Sequence, residues 1–162
     1  MVSRNAKKIP SNLSTDENWN NIWNIKTLAR VKHLLWRICH DCLLSCMRLR
    51  QHHVQCSGAC PFCGNNDEDV WHVFFGCLDT YTCWISAGLS NIIDHRTHSF
   101  NYVKSLILDI CSKEDKNTAG QVAVAIEAMW KNRNDLVSND AQEDGSKVDW
   151  LAYHNWREWF LA

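Results

Sequence analysis

Residues 60–77, CPFCGNNDEDVWHVFFGC, carry four metal-donor side chains with the spacing C-x2-C-x8-H-x4-C. Zinc takes four such donors in a tetrahedron, and a set of three thiolates and one imidazole is a closed structural arrangement with no position left for substrate. Cys60, Cys63, His72 and Cys77 are therefore the expected ligands of a structural Zn2+. Gly64, directly after the second cysteine, suits the tight knuckle in which backbone amides point at thiolate sulfur. The other half of the set poses a geometric problem, because residues five apart on an unbroken α-helix differ by about 500° and so aim about 140° apart. Gly76 answers it if the helix bearing His72 ends there and Cys77 swings back from the following turn.

Other readings of the cysteines are weaker. A redox Cys-x2-Cys wants a strand before it and a helix directly after it in a βαβ pattern, and neither surrounds Cys60 and Cys63. Cys56 and Cys83 lie near enough in sequence to compete as ligands, whereas Cys39, Cys42, Cys46 and Cys111 read as small buried hydrophobes. His33, His40, His52 and His53 read as surface or capping histidines, since they form no second four-ligand spacing.

The flanks are helical. Upstream, in ARVKHLLWRICHDC, Val31, Leu34, Leu35, Ile38 and Cys42 recur at three- and four-residue intervals, while Arg30, His33 and Arg37 cluster on another face. Trp36 falls about 140° from the centre of the aliphatic stripe, so it either stacks on a nucleic-acid base beside Arg37 or packs under the zinc loop. Ser45 is placed to cap a short helix CMRLRQHHV, and Asp67, Glu68 and Asp69 sit where acids favour the start of the helix VWHVFFGC. Downstream, LDTYTCWISAGL, FNYVKSLILDIC and AGQVAVAIEAMWKNRNDLV continue the helical pattern, and no alternating strand run appears. The last stretch, GSKVDWLAYHNWREWFLA, spaces Trp150, Tyr153, Trp156 and Trp159 helically and needs a partner to bury that surface.

The chain has 162 residues, 46% hydrophobic and 22% charged, with only two prolines, which suits one ordinary helical domain or two small units. Nine cysteines, an odd number, with no signal-peptide core and no long apolar span, suit reduced thiols in an intracellular protein without a membrane segment. Charge is uneven: residues 1–56 hold nine Lys/Arg against three Asp/Glu, and residues 57–162 hold eight against fifteen. A basic segment beside a zinc site points to an anionic partner such as nucleic acid.

Taken in order, these residues resemble the zinc-binding region of reverse transcriptases from plant LINE-type (non-LTR) retrotransposons, a module often found in ribonuclease-H-like retroelement proteins. Trp23, Lys26, Lys32, Leu35, Trp36, Arg37 and His40 match the first part of that pattern, and Cys60, Cys63, Glu68, His72, Phe74 and Cys77 match the second. More loosely, MWKNRNDLV is similar to a Trp-Lys-x-Arg-Asn stretch downstream of the knuckle in those polyproteins. Leu43, Leu44 and Ser45 replace the family's Leu-Pro-Thr turn, Asp69 stands where threonine is usual, and Val73 where leucine is; no ligand is lost.

The expectation is thus a mainly α protein: a small helical domain organised around a Cys3His zinc knuckle, followed by further helices. Residues 1–18 read as a flexible lead-in, 19–89 as the zinc-binding domain, and 90–162 as a helical extension or a linker to a missing domain. The resemblance implies a non-catalytic, structural zinc module, nuclear or cytoplasmic, that assists RNA or DNA binding beside neighbouring reverse transcriptase or ribonuclease-H-like domains. Arg30, Lys32, Arg37, Arg48 and Arg50 would contact phosphates, with Trp36 beside them. No palm-type Asp-Asp strand or carboxylate-bearing sheet is present, and Asp109, Glu127 and Asp135 fall in helical contexts. The rival is an interaction or scaffolding unit, or a decayed retroelement fragment, whose zinc serves folding only.

Overall fold

A computed structural model describes residues 18–139 apart from Ser57 and Asn66. The expected lead-in and the tryptophan-rich end lie outside the described residues, within which the chain is helical and has no β-strand. Seven α-helices and one π-helical turn follow in order: α1 (Asn20–Asn24), α2 (Ala29–Cys39), α3 (Cys46–Gln51), the π-turn (His72–Gly76), α4 (Leu78–Ser86), α5 (Ser90–Ser99), α6 (Val103–Lys113) and α7 (Lys116–Asn139).

The stripe read from α2 is its buried face: Val31, Leu34, Leu35, Ile38 and Cys39 turn inward onto α6 and α7. Cys42, expected to be buried, is instead exposed, because the helix has ended by His40 and the Cys42 thiol turns to the His40 carbonyl (3.3 Å). Ser45 caps α3 as expected, its hydroxyl accepting from the Arg48 amide at 3.3 Å. The long α7 lies along the other elements with small residues inward, Ala119, Ala123 and Ala125 beside Val122, Ile126 and Met129, which lets its backbone approach closely.

One apolar cluster joins Ile22, the inner faces of α2, α6 and α7, Val73 and Phe74 of the π-turn, and Trp84 of α4. The cluster includes buried residues from both sides of position 89, Phe74 and Trp84 together with Leu106, Ile107 and Met129. The helix α5 was not foreseen from periodicity, because one of its inward positions is Arg96, 3% exposed. That guanidinium is satisfied by Asp109 (2.8 Å), Glu114 (2.7 Å) and the Ile92 carbonyl (2.9 Å).

The tightest helix approach falls at Gly120. A Cβ there would lie 2.1 Å from the Lys26 carbonyl oxygen, and the Lys26 amide donates to the Lys116 carbonyl at 3.0 Å. In an open helix Gly→Ala stabilises by up to ~1 kcal/mol. Here Gly120→Ala is expected to destabilise by ~1–3 kcal/mol, measured by urea unfolding, because the added methyl meets backbone that cannot swing aside. A stabilised variant would show that α7 does not dock there.

Candidate metal centre

The four donors are brought together by two short pieces of chain. In the first, the Cys60 amide donates to the Asn65 carbonyl and the Gly64 amide to the Cys60 carbonyl, both at 2.8 Å, and Gly64 takes φ +72°, a conformation that costs glycine little. Amides of Phe62 and Cys63 point at the Cys60 sulfur, and that of Asn65 at the Cys63 sulfur. This is the knuckle expected from Gly64.

The second piece ends at Gly76 as expected, with Cys77 extended behind it, but the helix that ends there is not an α-helix. Gly76 is not left-handed. The backbone between His72 and Cys77 instead widens into a π-turn, closed by the Cys77 amide donating to the His72 carbonyl at 2.8 Å. An i→i+5 bond brings residues five apart back toward one side, which a regular α-helix does not do. Two contacts hold the turn: Asp69 Oδ1 accepts from the His72 amide (2.7 Å), and Trp84 Nε1 donates to the Phe74 carbonyl (2.8 Å). Trp84 is fully buried, with its ring parallel to that of Phe75. A Cβ at Gly76 would lie in ordinary contact with Trp71 Cδ1 (3.4 Å) and His72 Nδ1 (3.6 Å), so the turn does not depend on glycine for space.

The donor atoms of Cys60, Cys63, His72 and Cys77 lie within 4.8 Å of one another. Tetrahedral zinc with Zn–S of about 2.3 Å and Zn–N of about 2.0 Å separates its donors by about 3.5–3.8 Å. Two of the separations, Cys60 Sγ to Cys77 Sγ at 3.9 Å and Cys63 Sγ to His72 Nε2 at 3.3 Å, lie close to those values, and the donor set fits that ion in kind. The sulfurs are too far apart for a disulfide, and all described cysteines are free. The Cys60 thiol hydrogen-bonded to it, helped by His72 and the amides of Thr80 and Asp79, lowers the Cys77 thiol to about 3, although no capping bond of ordinary geometry forms there. Hydrogen bonding to Cys77, then burial, pushes Cys60 up. The direction at Cys77 favours the thiolate, the form that binds metal.

Cys56 and Cys83 stand outside the cluster. The Cys56 thiol turns to the Cys46 carbonyl (3.3 Å), and Cys83 is part of the core. Burial, then Glu68, pushes the Cys46 thiol up to about 11.

Glu68, expected only at a helix start, has a larger place. It is fully buried and forms a two-point ion pair with Arg133 of α7, at 2.6 Å and 3.1 Å, while Oε1 also accepts from the Cys46 amide at 2.9 Å. One turn earlier on α7, Trp130 packs on Phe74 of the π-turn, and the Arg133 guanidinium lies over the Trp130 ring. The stretch WKNR thus grips the knuckle from both sides. Its link to Glu68, 65 residues away, leaves no mark in local spacing.

Of the six residues expected to meet nucleic acid, Arg30, Lys32, Trp36 and Arg37 lie on α2 and Arg48 and Arg50 on α3. Arg30 pairs with Glu127 (2.8 Å), Lys32 donates to the Trp23 carbonyl (2.8 Å), and Arg48 pairs with Asp41. Arg50 crosses Gly58, and Arg37 is exposed with no ion pair among the described residues. Trp36 is 38% exposed and stacks on His40, outside the core. Asp109 and Glu127 serve ion pairs, and no second metal-type cluster occurs among the described residues.

The fold and site define a helical unit built around a closed Cys3His centre. The family model for zinc-binding in reverse transcriptase matches residues 3–84, and the chain belongs to that family. No curated protein and no solved structure matches the chain significantly. No described helix is long and apolar enough to cross a membrane.

Proposed function

We propose that this chain is the zinc-held module of a non-LTR retrotransposon reverse transcriptase of the plant LINE type, and that it helps hold RNA or DNA near polymerase and ribonuclease-H-like domains. Zn2+ is bound by Cys60, Cys63, His72 and Cys77 and fixes the knuckle against the π-turn. The carrying observation is the Cys3His cluster lying inside the region matched by the reverse-transcriptase zinc family. A closed set of this kind is structural, so the module contributes binding and positioning and no polymerase or nuclease chemistry. It acts within the nucleus or cytoplasm. Because α7 grips the knuckle through Trp130 and Arg133, the working unit runs through α7 and does not stop at residue 89.

Contacts from Arg37, Arg50, Lys32 and, after exchange of their ion-pair partners, Arg30 and Arg48 are to phosphates and therefore sequence-tolerant and salt-dependent. Titration of the zinc-loaded chain with single-stranded RNA at two ionic strengths is expected to give an affinity that falls with a log–log slope of about −0.7 per phosphate contact. Absence of binding at low salt refutes the reading.

A second reading has its own observation. Leu78 and Ile85, seven residues apart on α4, are 78% and 55% exposed, which favours docking on a neighbouring protein domain. Arg37→Glu separates the two, because it carries no ion pair to break: lost RNA binding supports the first reading, unchanged binding the second.

A further inference from the structure

The exposed side of α2 is more than a cationic stripe. Around the helix, Trp36, His40, His33, Arg37 and Arg30 fill one arc of about 120°, and the helix contains no acidic residue. The rings on that arc are already stacked. His40 lies against Trp36 (centroids 4.1 Å apart, 27° between planes) and against Trp19 (4.6 Å, 30°), and Lys104 of α6 sits over the Trp19 ring at 5.1 Å. The His40 ring is fixed because its Nδ1 meets the Trp36 carbonyl at 2.8 Å; that carbonyl only accepts, so Nδ1 carries the proton. One turn away, Trp23 meets His33 edge-on at 5.2 Å.

We propose that this arc is a stacking platform for a single nucleic-acid strand: an unpaired base adds to the open face of Trp36, and Arg37 meets the adjoining phosphate. The proposal rests on the nucleic-acid reading above and adds which form is bound and where. Three features argue for a single strand. Every base has a π-face but a duplex keeps its bases stacked on one another, so only an unpaired strand can use an exposed indole. The Trp36 ring is held by His40 before binding, which reduces the ordering cost. The guanidinium beside it is exposed and has no ion pair among the described residues, whereas Glu127, on the packed helix α7, is taken by Arg30.

The test uses the full zinc-loaded chain, a fluorescein-labelled oligouridine, and an RNA duplex of equal length, read by anisotropy at low and moderate salt. Trp36→Ala is expected to weaken oligouridine binding ~tenfold or more, to leave the duplex within ~twofold, and to keep the salt slope, because stacking releases no counterions. Trp36→Phe is expected to restore most of the loss, and Arg37→Gln to weaken both probes and lower the slope by about one contact. Zinc content and thermal unfolding of each variant report its folding, and Trp36→Leu, which keeps apolar bulk without a π-face and is expected to show the same strand-selective loss, decides the matter should Trp36→Ala unfold. Oligouridine binding within ~twofold of wild type in Trp36→Ala, or equal losses for strand and duplex, overturns the platform while leaving the nucleic-acid reading intact. Failure of the unsubstituted chain to bind either probe overturns both.

Discussion

Cys63→Ser is expected to take the metal content of the purified chain from one zinc per molecule to none. Serine keeps the shape but not the ionisable sulfur, and three donors do not complete a structural tetrahedron. Structural zinc sites in small modules have apparent binding free energies of ~10–16 kcal/mol at neutral pH, and where the site is unformed without metal that energy is folding energy. In this chain the loss is confined by the architecture. The knuckle is held by its own turn bonds, the ligand shell and Glu68, whereas α2, α6 and α7 close their core with side chains that are not ligands. Chelation should therefore release exchange protection over the knuckle and the π-turn and leave α2, α6 and α7 protected, by hydrogen-exchange mass spectrometry. Acid has the same direction: protons compete for His72 and the three thiolates, so affinity falls as pH falls. Retention of zinc by Cys63→Ser, or its loss in Cys56→Ser or Cys83→Ser instead, would show that the ligand set is wrong.

The second large effect belongs to Glu68. Glu68→Ala leaves the Arg133 guanidinium, 3% exposed, without its counter-charge and removes the acceptor of the Cys46 amide. Breaking one side of a buried pair costs ~3–5 kcal/mol, so a fall in Tm of order 10 °C is expected. Replacing both partners by apolar residues, Glu68→Leu with Arg133→Met, should cost less than either single loss, since no uncompensated charge remains. The zinc affinity of Glu68→Ala should fall too, because the residue sits between Cys63 and His72 and anchors that segment to α7. A destabilisation below ~1 kcal/mol would mean that water reaches the pair and that α7 is not fastened to the knuckle.

What the sequence disclosed and what it hid divide along physical lines. Local rules showed the α2 stripe, the Ser45 cap, the Gly64 turn and the four donors, because each depends on residues a few positions apart. Long-range polar pairing stayed hidden. Arg96 breaks the apolar period of α5 because its charge is satisfied by acids on α6 and in the connection to α7, and the Glu68–Arg133 pair joins segments 65 residues apart. Trp84 shows the same limit: its helical position was plain, but not that its indole N–H is used by the Phe74 carbonyl. At Cys77 the end of the His72 helix is legible from Gly76, whereas its π form is not, because one extra residue in a turn leaves no signature in the apolar period.

That closure gives meaning to the length of the spacer. With three residues between histidine and cysteine, an ordinary α-helix would put both donors on one side; with four, it would not. The fourth residue is accommodated by the wider turn, so the distance along the chain between His72 and Cys77 encodes a backbone form as well as a coordination geometry. Losing one residue from VFFG would keep two donors in reach of each other but rotate Phe74 and Phe75 relative to Trp84 and Trp130. Spacer length is therefore held by two independent demands, metal closure and aromatic register, and a change that satisfies one violates the other.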